Sequence, residues 1–223
     1  MARMIDGVWE GEWRPTDEDG DGAFLRKPSV FRDQLPPELP EPGRYHLFVA
    51  WTCPWAHRTL LARSLKGLAE RISVHFANEL TDRSWRFEDP GMSPHGDEYL
   101  YRLYLRADPH YTGRVTVPVL WDEREQRIVN NESSEILAML DAIPSAAPPL
   151  RPAAWVSEID AWAERLYASL NNGVYRAGFA TTQEAYDEAV RGVFETLDAL
   201  EAHLDGRRWL VGDQLTEADL RLF

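Results

Sequence analysis

One stretch of the chain constrains its fold most strongly: a strand-like run, a turn with the only cysteine, and a helix-like run follow one another directly. These parts are residues 45–50, Cys53-Pro54 and residues 58–68. A proline directly after the cysteine is preset for the first turn of a helix. Backbone N–H groups and the helix dipole at such a turn favour an anion and lower the pKa of a thiol. The pattern predicts a reactive thiolate at Cys53; the alternative for a lone cysteine is a small buried core residue.

The following segments extend this unit into a sheet. Residues 71–77 are predicted to form a second strand, parallel to the first through a right-handed crossover. Residues 78–113 are predicted to be a long functional loop with a short helix near 99–106. A strand at 113–122 with Pro118 at its entrance leads through a charged turn to an antiparallel partner at 127–130. Ser133 or Ser134 is then expected to cap a helix.

The second half of the chain has the apolar spacing of helices. Proline-rich residues 144–149 indicate a linker. One helix is predicted to bury Ile159, Trp162, Leu166 and Leu170, and a second, over 182–203, to bury Val190, Phe194, Leu197, Leu200 and Leu204. Thr216 and Asp219 are typical of the start of a last helix. That helix has barely begun at residue 223, so we expect further helices downstream to cover Leu220, Leu222 and Phe223.

These patterns predict a fold that combines an α/β domain with an all-α domain. The expected parts are an arm at 1–43 without strong helix or strand, an α/β domain at 44–143, a linker at 144–152 and an incomplete helical domain at 153–223. Trp9 and Trp13 are interpreted as anchors that hold the arm to the body.

Composition excludes several function classes. The net charge of −13 argues against nucleic-acid binding, because a polyanion would be repelled. The sequence has neither an apolar run of membrane-spanning length nor a signal peptide, and a single cysteine allows no internal disulfide. We therefore expect a cytoplasmic protein without membrane contact. The acidic run 17–22 resembles a calcium loop but has Pro28 where glutamate is required, and the histidines lack metal-ligand spacing, so we expect no metal.

The βαβ and ββα units in this order form the thioredoxin-like layout. Pro118 is expected to be cis and to place the Val117 backbone beside the Cys53 sulfur. The N–H and C=O of Val117 are then available to pair with an extended thiol peptide as an added strand. Ala56 stands where a redox dithiol would have its second cysteine, so an external thiol must resolve any disulfide at Cys53.

The sequence resembles the glutathionyl-hydroquinone reductases, the Xi class of glutathione transferases. The motifs that carry the resemblance run nearly from end to end of the chain: Trp9 and Trp13, Phe31-Arg32, CPWAHR at 53–58, Ser84-Trp85 with Phe87, RVTVPVLWD at 114–122, NESSEI at 131–136 and NNGVYRAGFA at 171–180. The resemblance implies a thioredoxin-like domain (βαβ-ββα) followed by an all-helical glutathione-transferase domain. It also implies a homodimer of the full-length chain and helical-domain residues beyond 223, including another pocket tyrosine.

The resemblance further implies a reaction in which Cys53 attacks the sulfur of a glutathionyl-hydroquinone. Hydroquinone leaves, and a second glutathione resolves the Cys53–glutathione mixed disulfide, so glutathione is the co-substrate. Trp85 and Arg114 are expected to contact glutathione, Val117 to pair with its cysteinyl backbone, and Glu132 and Ser133 to take the γ-glutamyl amine and carboxylate. Tyr175 is expected to donate a hydrogen bond to the hydroquinone hydroxyl.

Several alternatives remain open at this point. Glu132 and Ser133 are also suited to plain helix capping, Arg114 to a structural ion pair, Trp85 to loop packing and Tyr175 to core packing. A Cys53–His57 pair is conceivable. A general glutathione thiol transferase, which removes glutathione from protein cysteines or small disulfides, would use the same cysteine. A non-catalytic binding module of the same fold has no need of a thiol at the helix N-terminus.

Overall fold

The computed structural model describes residues 3–10, 20–36, 38–81 and 84–222. The chain divides into two compact units. The first contains the described parts of 1–14 and 29–148, and the second those of 15–28 and 149–223. The first 43 residues therefore supply segments to both units. Trp13 and residues 17–19 of the acidic run lie outside the described residues.

The first unit begins with a β-hairpin, so the prediction of no regular strand in the first 43 residues is wrong. Strands β1 (Arg3–Ile5) and β2 (Val8–Glu10) pair antiparallel around Asp6 and Gly7, which have φ of 47° and 75°. Asp-Gly is a preferred dipeptide for such a two-residue turn, because both positions need positive φ. Met4 is fully buried and exchanges backbone hydrogen bonds of 2.8 and 3.0 Å with Gly113. The hairpin is thereby fixed to the body of the unit.

Gly7→Ala is expected to destabilise the protein by roughly 2 kcal/mol or more. Its added Cβ would lie 2.0 Å from the carbonyl oxygen of Pro109, and the backbone there adopts a left-handed conformation. Gly43→Ala is the matched control, because Gly43 has φ of 79° but no heavy atom within 4 Å of the added Cβ. Urea unfolding of both variants measures the difference. Equal losses in the free energy of unfolding would contradict the steric argument.

The core of the first unit is a four-stranded sheet in the order β4-β3-β7-β8. Strand β3 (Tyr45–Val49) is followed in sequence by helix α1 (Pro54–Leu65) and strand β4 (Ile72–Phe76). Strand β4 pairs in parallel with β3, as predicted. The connection that follows holds β5 (Glu79–Leu80), β6 (Trp85–Arg86) and helix α2 (Tyr101–Ala107). Strands β7 (Val119–Asp122) and β8 (Arg127–Asn130) form the predicted antiparallel hairpin, and helix α3 (Ser133–Ala142) packs against α1.

A histidine pair joins the sheet to the long connection. His75 Nδ1 lies 2.9 Å from the carbonyl oxygen of Met92, and His75 Nε2 lies 2.8 Å from His46 Nδ1. A carbonyl can only accept, so Nδ1 of His75 carries the hydrogen when its ring is neutral, and Nε2 of His46 likewise faces a carbonyl oxygen, that of Gly43 at 3.2 Å. Burial is the largest cause that lowers the pKa of His75, and the neighbouring His46 and His95 add to it, while Glu123 and the Met92 carbonyl oppose it.

We expect stability to decline as the pH falls below about 6.5, the ordinary pKa of histidine. Because the folded state binds a proton on His75 less readily than the unfolded chain does, this contribution is complete above that pH and is lost on acidification. Thermal melting of wild type and His75→Phe between pH 5 and 8 measures the effect. Parallel pH profiles for the two proteins would contradict it.

The second unit is helical. It contains α4 (Val156–Arg165), a π-helical turn (Leu166–Asn171), α5 (Gly173–Gly178), α6 (Gln183–Leu204) and α7 (Glu217–Leu222). The predicted apolar face of the first helix is confirmed, since Ile159 and Leu166 are fully buried and Trp162 and Leu170 pack against the same cluster. None of the described helices has the length and apolar character to cross a membrane.

The predicted buried face of α6 is partly wrong. Leu200 is buried, but Phe194 is 59% and Leu197 40% exposed, and the helix instead buries Ala189, Val193 and Thr196. Small side chains face the interior because α5 packs closely there: a Cβ on Gly173 would meet Val193 at 3.0 Å. The apolar spacing predicted the helix, but these buried residues each lie one position earlier in the sequence than the predicted ones.

The start of α7 follows the predicted capping box. The backbone N–H of Thr216 donates to Asp219 Oδ2 at 2.8 Å, and Leu210 N–H donates to Oδ1 at 2.8 Å. Leu220 is buried, and Leu222 is partly buried against the helical cluster. Phe223 lies outside the described residues.

Candidate functional site

Cys53 occupies the N-cap position of α1. Its backbone is extended, with φ of −101° and ψ of 107°, Pro54 follows in the first turn, and that turn has no acidic side chain. The Cys53 carbonyl accepts the N–H groups of Ala56 and His57 at 3.1 and 3.0 Å, which starts the helix. The sulfur therefore lies at the positive end of the helix dipole, where a thiolate is favoured.

The Val117 backbone lies beside this sulfur, and the Val117-Pro118 peptide is cis. Cys53 Sγ is 3.4 Å from the Val117 carbonyl oxygen, and both residues are buried. In the thiol form the S–H donates to that oxygen. The predicted cis peptide at Pro118 and the predicted position of the Val117 backbone beside the Cys53 sulfur are both present.

A buried tyrosine joins the Val117 backbone to the start of α3. Tyr104 Oη donates to the Thr116 carbonyl at 2.9 Å and accepts from Asn131 Nδ2 at 3.3 Å. Burial raises the pKa of Tyr104, so the phenol stays protonated and keeps this donor. Thr116 and Asn131, which directly precede Val117 and Glu132, are thus both hydrogen-bonded to the Tyr104 hydroxyl. The sequence predicted Tyr104 in a short helix within the long connection, which α2 confirms, but nothing in its spacing indicates this bridge.

Glu132, not Ser133 or Ser134, is the N-cap of α3, which corrects the capping prediction. Its Oε1 accepts from the Ser134 N–H at 3.4 Å and hydroxyl at 3.2 Å, and its Oε2 accepts from the Ser29 hydroxyl at 3.0 Å. Ser133 is buried at the first helical position. Glu132 therefore caps the helix, as the alternative interpretation of this residue predicted. Oε2 can still accept a further bond, since an ionised carboxylate has about four lone-pair sites and three of them are used by these contacts.

Trp85 and Arg114 lie in the segments that flank α2. Trp85 is half-buried in β6, where its carbonyl accepts from the Leu100 N–H at 2.8 Å. Arg114 is half-buried three residues before Val117, and its carbonyl accepts from the Tyr111 hydroxyl at 2.7 Å. These contacts fix both backbones.

Tyr175 lies on α5 in the helical unit and is half-buried, which argues against a pure core role. The Arg26 guanidinium lies over its ring, with 4.4 Å from Cζ to the ring centroid. Arg26 Nε in turn donates to Asn172 Oδ1 at 2.7 Å. The sequence did not identify Arg26 as a partner of Asn172 and Tyr175, because 146 positions separate Arg26 from Asn172.

No group of three His, Cys, Asp or Glu side chains in the described part of the chain is arranged to hold a metal ion.

Comparison with known proteins places the chain in a family. Models of the glutathione S-transferase N-terminal and C-terminal domains match residues 52–143 and 183–223. The glutathionyl-hydroquinone reductase PcpF of Sphingobium chlorophenolicum is 53% identical, over all of this chain and 74% of PcpF. The reductase YqjG of Escherichia coli is 48% identical, over all of this chain and 74% of YqjG. The chain belongs to the glutathionyl-hydroquinone reductases, the Xi class of glutathione transferases.

Solved structures of the family agree with the fold. The Xi glutathione transferase of Phanerochaete chrysosporium gives a TM-score of 0.85 at 43% identity, with 92% of this chain and 71% of that chain covered. Glutathione-bound YqjG gives a TM-score of 0.80 at 46% identity, with 99% and 72% covered. These matches confirm a thioredoxin-like domain followed by a helical glutathione-transferase domain.

Proposed function

We propose that this protein is a glutathione-dependent reductase that cleaves glutathionyl-hydroquinones through a mixed disulfide between Cys53 and glutathione. The observation that carries the proposal is the position of the Cys53 sulfur, at the N-terminus of α1 and 3.4 Å from the Val117 carbonyl. The chain has no second cysteine, so a disulfide formed at Cys53 needs an external thiol. Two relatives near 50% identity are named as reductases of this type.

The reaction has two displacement steps at sulfur. The Cys53 thiolate attacks the sulfur of the thioether, an S–S bond forms, and the bond from sulfur to the aromatic carbon breaks. That electron pair remains on the ring carbon, which takes up a proton as the hydroquinone leaves. A second glutathione thiolate then attacks the glutathione sulfur of the mixed disulfide, which gives glutathione disulfide and the free Cys53 thiolate.

The Val117 backbone is proposed to pair with the cysteinyl residue of glutathione. The cysteinyl N–H would take the carbonyl that the Cys53 thiol now contacts. Occupation of that carbonyl removes the hydrogen-bond acceptor that favours the protonated thiol, so glutathione binding itself would favour the thiolate. The peptide would also be held at a fixed distance from the sulfur it must meet.

The other contacts with glutathione are proposed mainly from complementary charge. Glu132 is proposed to bind the γ-glutamyl ammonium, and the N-terminus of α3 at Ser133 to bind the γ-glutamyl carboxylate. Trp85 and Arg114 are proposed to contact the rest of the tripeptide. Tyr175 is proposed to donate a hydrogen bond to the hydroquinone hydroxyl. No metal is required by these steps.

We further propose a cytoplasmic location and a homodimer of the full-length chain. The location is supported by the need for a supply of reduced glutathione and by the absence of a second cysteine in the sequence. The dimer is proposed from the family resemblance alone.

The proposal is tested with a glutathionyl-hydroquinone and excess glutathione. We expect hydroquinone and glutathione disulfide in equal amounts. When the second glutathione is withheld, intact-mass measurement should detect one glutathione on the protein, and peptide mapping should place it on Cys53. A protein that releases glutathione from small disulfides but leaves the hydroquinone thioether intact would be a general thiol transferase. A protein without either activity would contradict the proposal.

A further inference from the structure

Arg26 is held in one position by two independent contacts within the helical unit. Its Nε donates to Asn172 Oδ1 at 2.7 Å, and its guanidinium carbon lies 4.4 Å from the centroid of the Tyr175 ring. The same guanidinium lies 5.6 Å from the Phe24 ring, which is buried against Phe179 with a centroid distance of 5.3 Å. Arg26 is half-buried, so its charge is partly shielded from water.

The segment that carries Arg26 is itself fixed to the end of α5. The Thr181 N–H donates to the Gly22 carbonyl at 3.0 Å, and the Thr182 hydroxyl donates to the Asp21 carbonyl at 2.9 Å. A Cβ on Gly22 would meet the Thr181 hydroxyl oxygen at 2.7 Å, so the approach requires glycine. This close pairing places Arg26 over α5 rather than leaving it on a mobile arm.

The residues that precede and follow Tyr175 in the chain also make defined contacts. A π-helical turn ends at Asn171, directly before α5, and such turns concentrate at functional sites. Asn171 Nδ2 donates to the Arg221 carbonyl at 2.9 Å, while Asn172 holds Arg26. Phe179, one turn after Tyr175, lies 6.1 Å from its ring. The tyrosine ring is thus bounded by a cation on one face and by an aromatic ring on its own helix.

We propose that Arg26 is a positioning residue for Tyr175: it fixes the orientation of the phenol and strengthens its hydroxyl as a hydrogen-bond donor toward the hydroquinone. A cation over an aromatic face is attracted by the ring electrons and polarises them toward itself. The phenol O–H becomes a stronger donor as the ring loses electron density. This inference rests on the proposed function and extends it to a residue outside the recognised motifs.

The test compares four single variants and one double variant by hydroquinone release. We expect Tyr175→Phe and Arg26→Met each to lower kcat about tenfold, which corresponds to one hydrogen bond, with KM for glutathione unchanged. Because Arg26 acts through Tyr175, Arg26→Met should have little further effect in the Tyr175→Phe background. Arg26→Lys keeps a charge over the ring and should restore part of the rate. Asn172→Ala frees the guanidinium and should fall between wild type and Arg26→Met.

Arg208→Met is the matched control, because Arg208 makes the same kind of contact with the half-buried Trp209, 4.9 Å from Cζ to the ring centroid, without any residue of α5. It should leave kcat unchanged. Glutathione exchange with a small disulfide uses Cys53 but no hydroquinone hydroxyl, so all variants should retain it, which also shows that they are folded. If Arg26→Met fails this folding check, Arg26→Lys and Asn172→Ala decide the question.

The outcomes separate the two proposals. Wild type that releases no hydroquinone would contradict the proposed function. Normal activity in Tyr175→Phe, or a loss in Tyr175→Phe that Arg26→Met does not share, would overturn the role of Arg26 and leave the function of Cys53 intact. Additive losses in the double variant would show that Arg26 acts independently of Tyr175 and would also overturn the inference.

Discussion

Cys53→Ala is expected to lower hydroquinone release on the order of a thousandfold or more, because the nucleophile that forms the mixed disulfide is removed. No other cysteine in the chain can replace it. The hydrogen bond from the thiol to the Val117 carbonyl is long, at 3.4 Å, so its loss should change the free energy of unfolding by less than about 1 kcal/mol. The rate of hydroquinone release and a urea unfolding curve measure the two effects.

Two controls make the Cys53 result specific. Cys53→Ser keeps a polar atom of similar size at the N-cap but cannot form a disulfide, so it should be as inactive as Cys53→Ala. Calorimetry should detect glutathione binding to both variants, because the proposed contacts at Val117 and Glu132 are retained. Hydroquinone release by Cys53→Ala at the wild-type rate would contradict the mechanism.

Lys66→Met is expected to destabilise the protein by about 3–5 kcal/mol, the typical cost of removing one partner of a buried ion pair. Lys66 Nζ lies 3.1 Å from Asp141 Oδ1, and the two side chains are only 4% and 8% exposed. Lys66 caps the end of α1, and Asp141 lies in the last turn of α3. The variant leaves the Asp141 carboxylate buried without its ammonium. Chemical unfolding measures the loss.

An exposed pair provides the control for Lys66. Arg106 and Asp97 lie 3.2 Å apart, but their side chains are 40% and 14% exposed, so Arg106→Met should cost no more than about 1 kcal/mol. The double variant Lys66→Met/Asp141→Leu should recover most of the stability, because neither charge then remains buried. If Lys66→Met lowers the free energy of unfolding as little as Arg106→Met does, the buried pair stabilises the protein no more than an exposed pair.

The sequence predicted the thiol half of the candidate site well because that half is local. A strand, a Cys-Pro turn and a helix are encoded within about twenty residues, and Val-Pro marks the entrance to β7. Each of these signals depends on backbone rules that need no tertiary information. Their meeting, Cys53 beside Val117, then follows from the topology of a βαβ unit and an antiparallel hairpin.

Contacts that depend on distant partners were less predictable. Glu132 became the cap of α3 partly because Ser29, far away in sequence, donates to its carboxylate. The buried face of α6 was misplaced because close packing against Gly173 favours Ala189 and Val193 over larger side chains. The hairpin at Asp6-Gly7 was different: its turn signal is present in the sequence, but strands of three residues are too short to show alternation.

The division of the chain between the two units has a consequence for the order in which it folds during synthesis. Residues 20–28 leave the ribosome before residues 29–148 of the first unit, yet their partners Asn172 and Thr182 follow 146 and 161 positions later. The helical unit is therefore discontinuous in the gene, and contacts of such long separation form late. A fragment that begins at residue 149 would lack the segment that covers Tyr175. Dissection at the proline-rich linker cannot yield a complete helical unit.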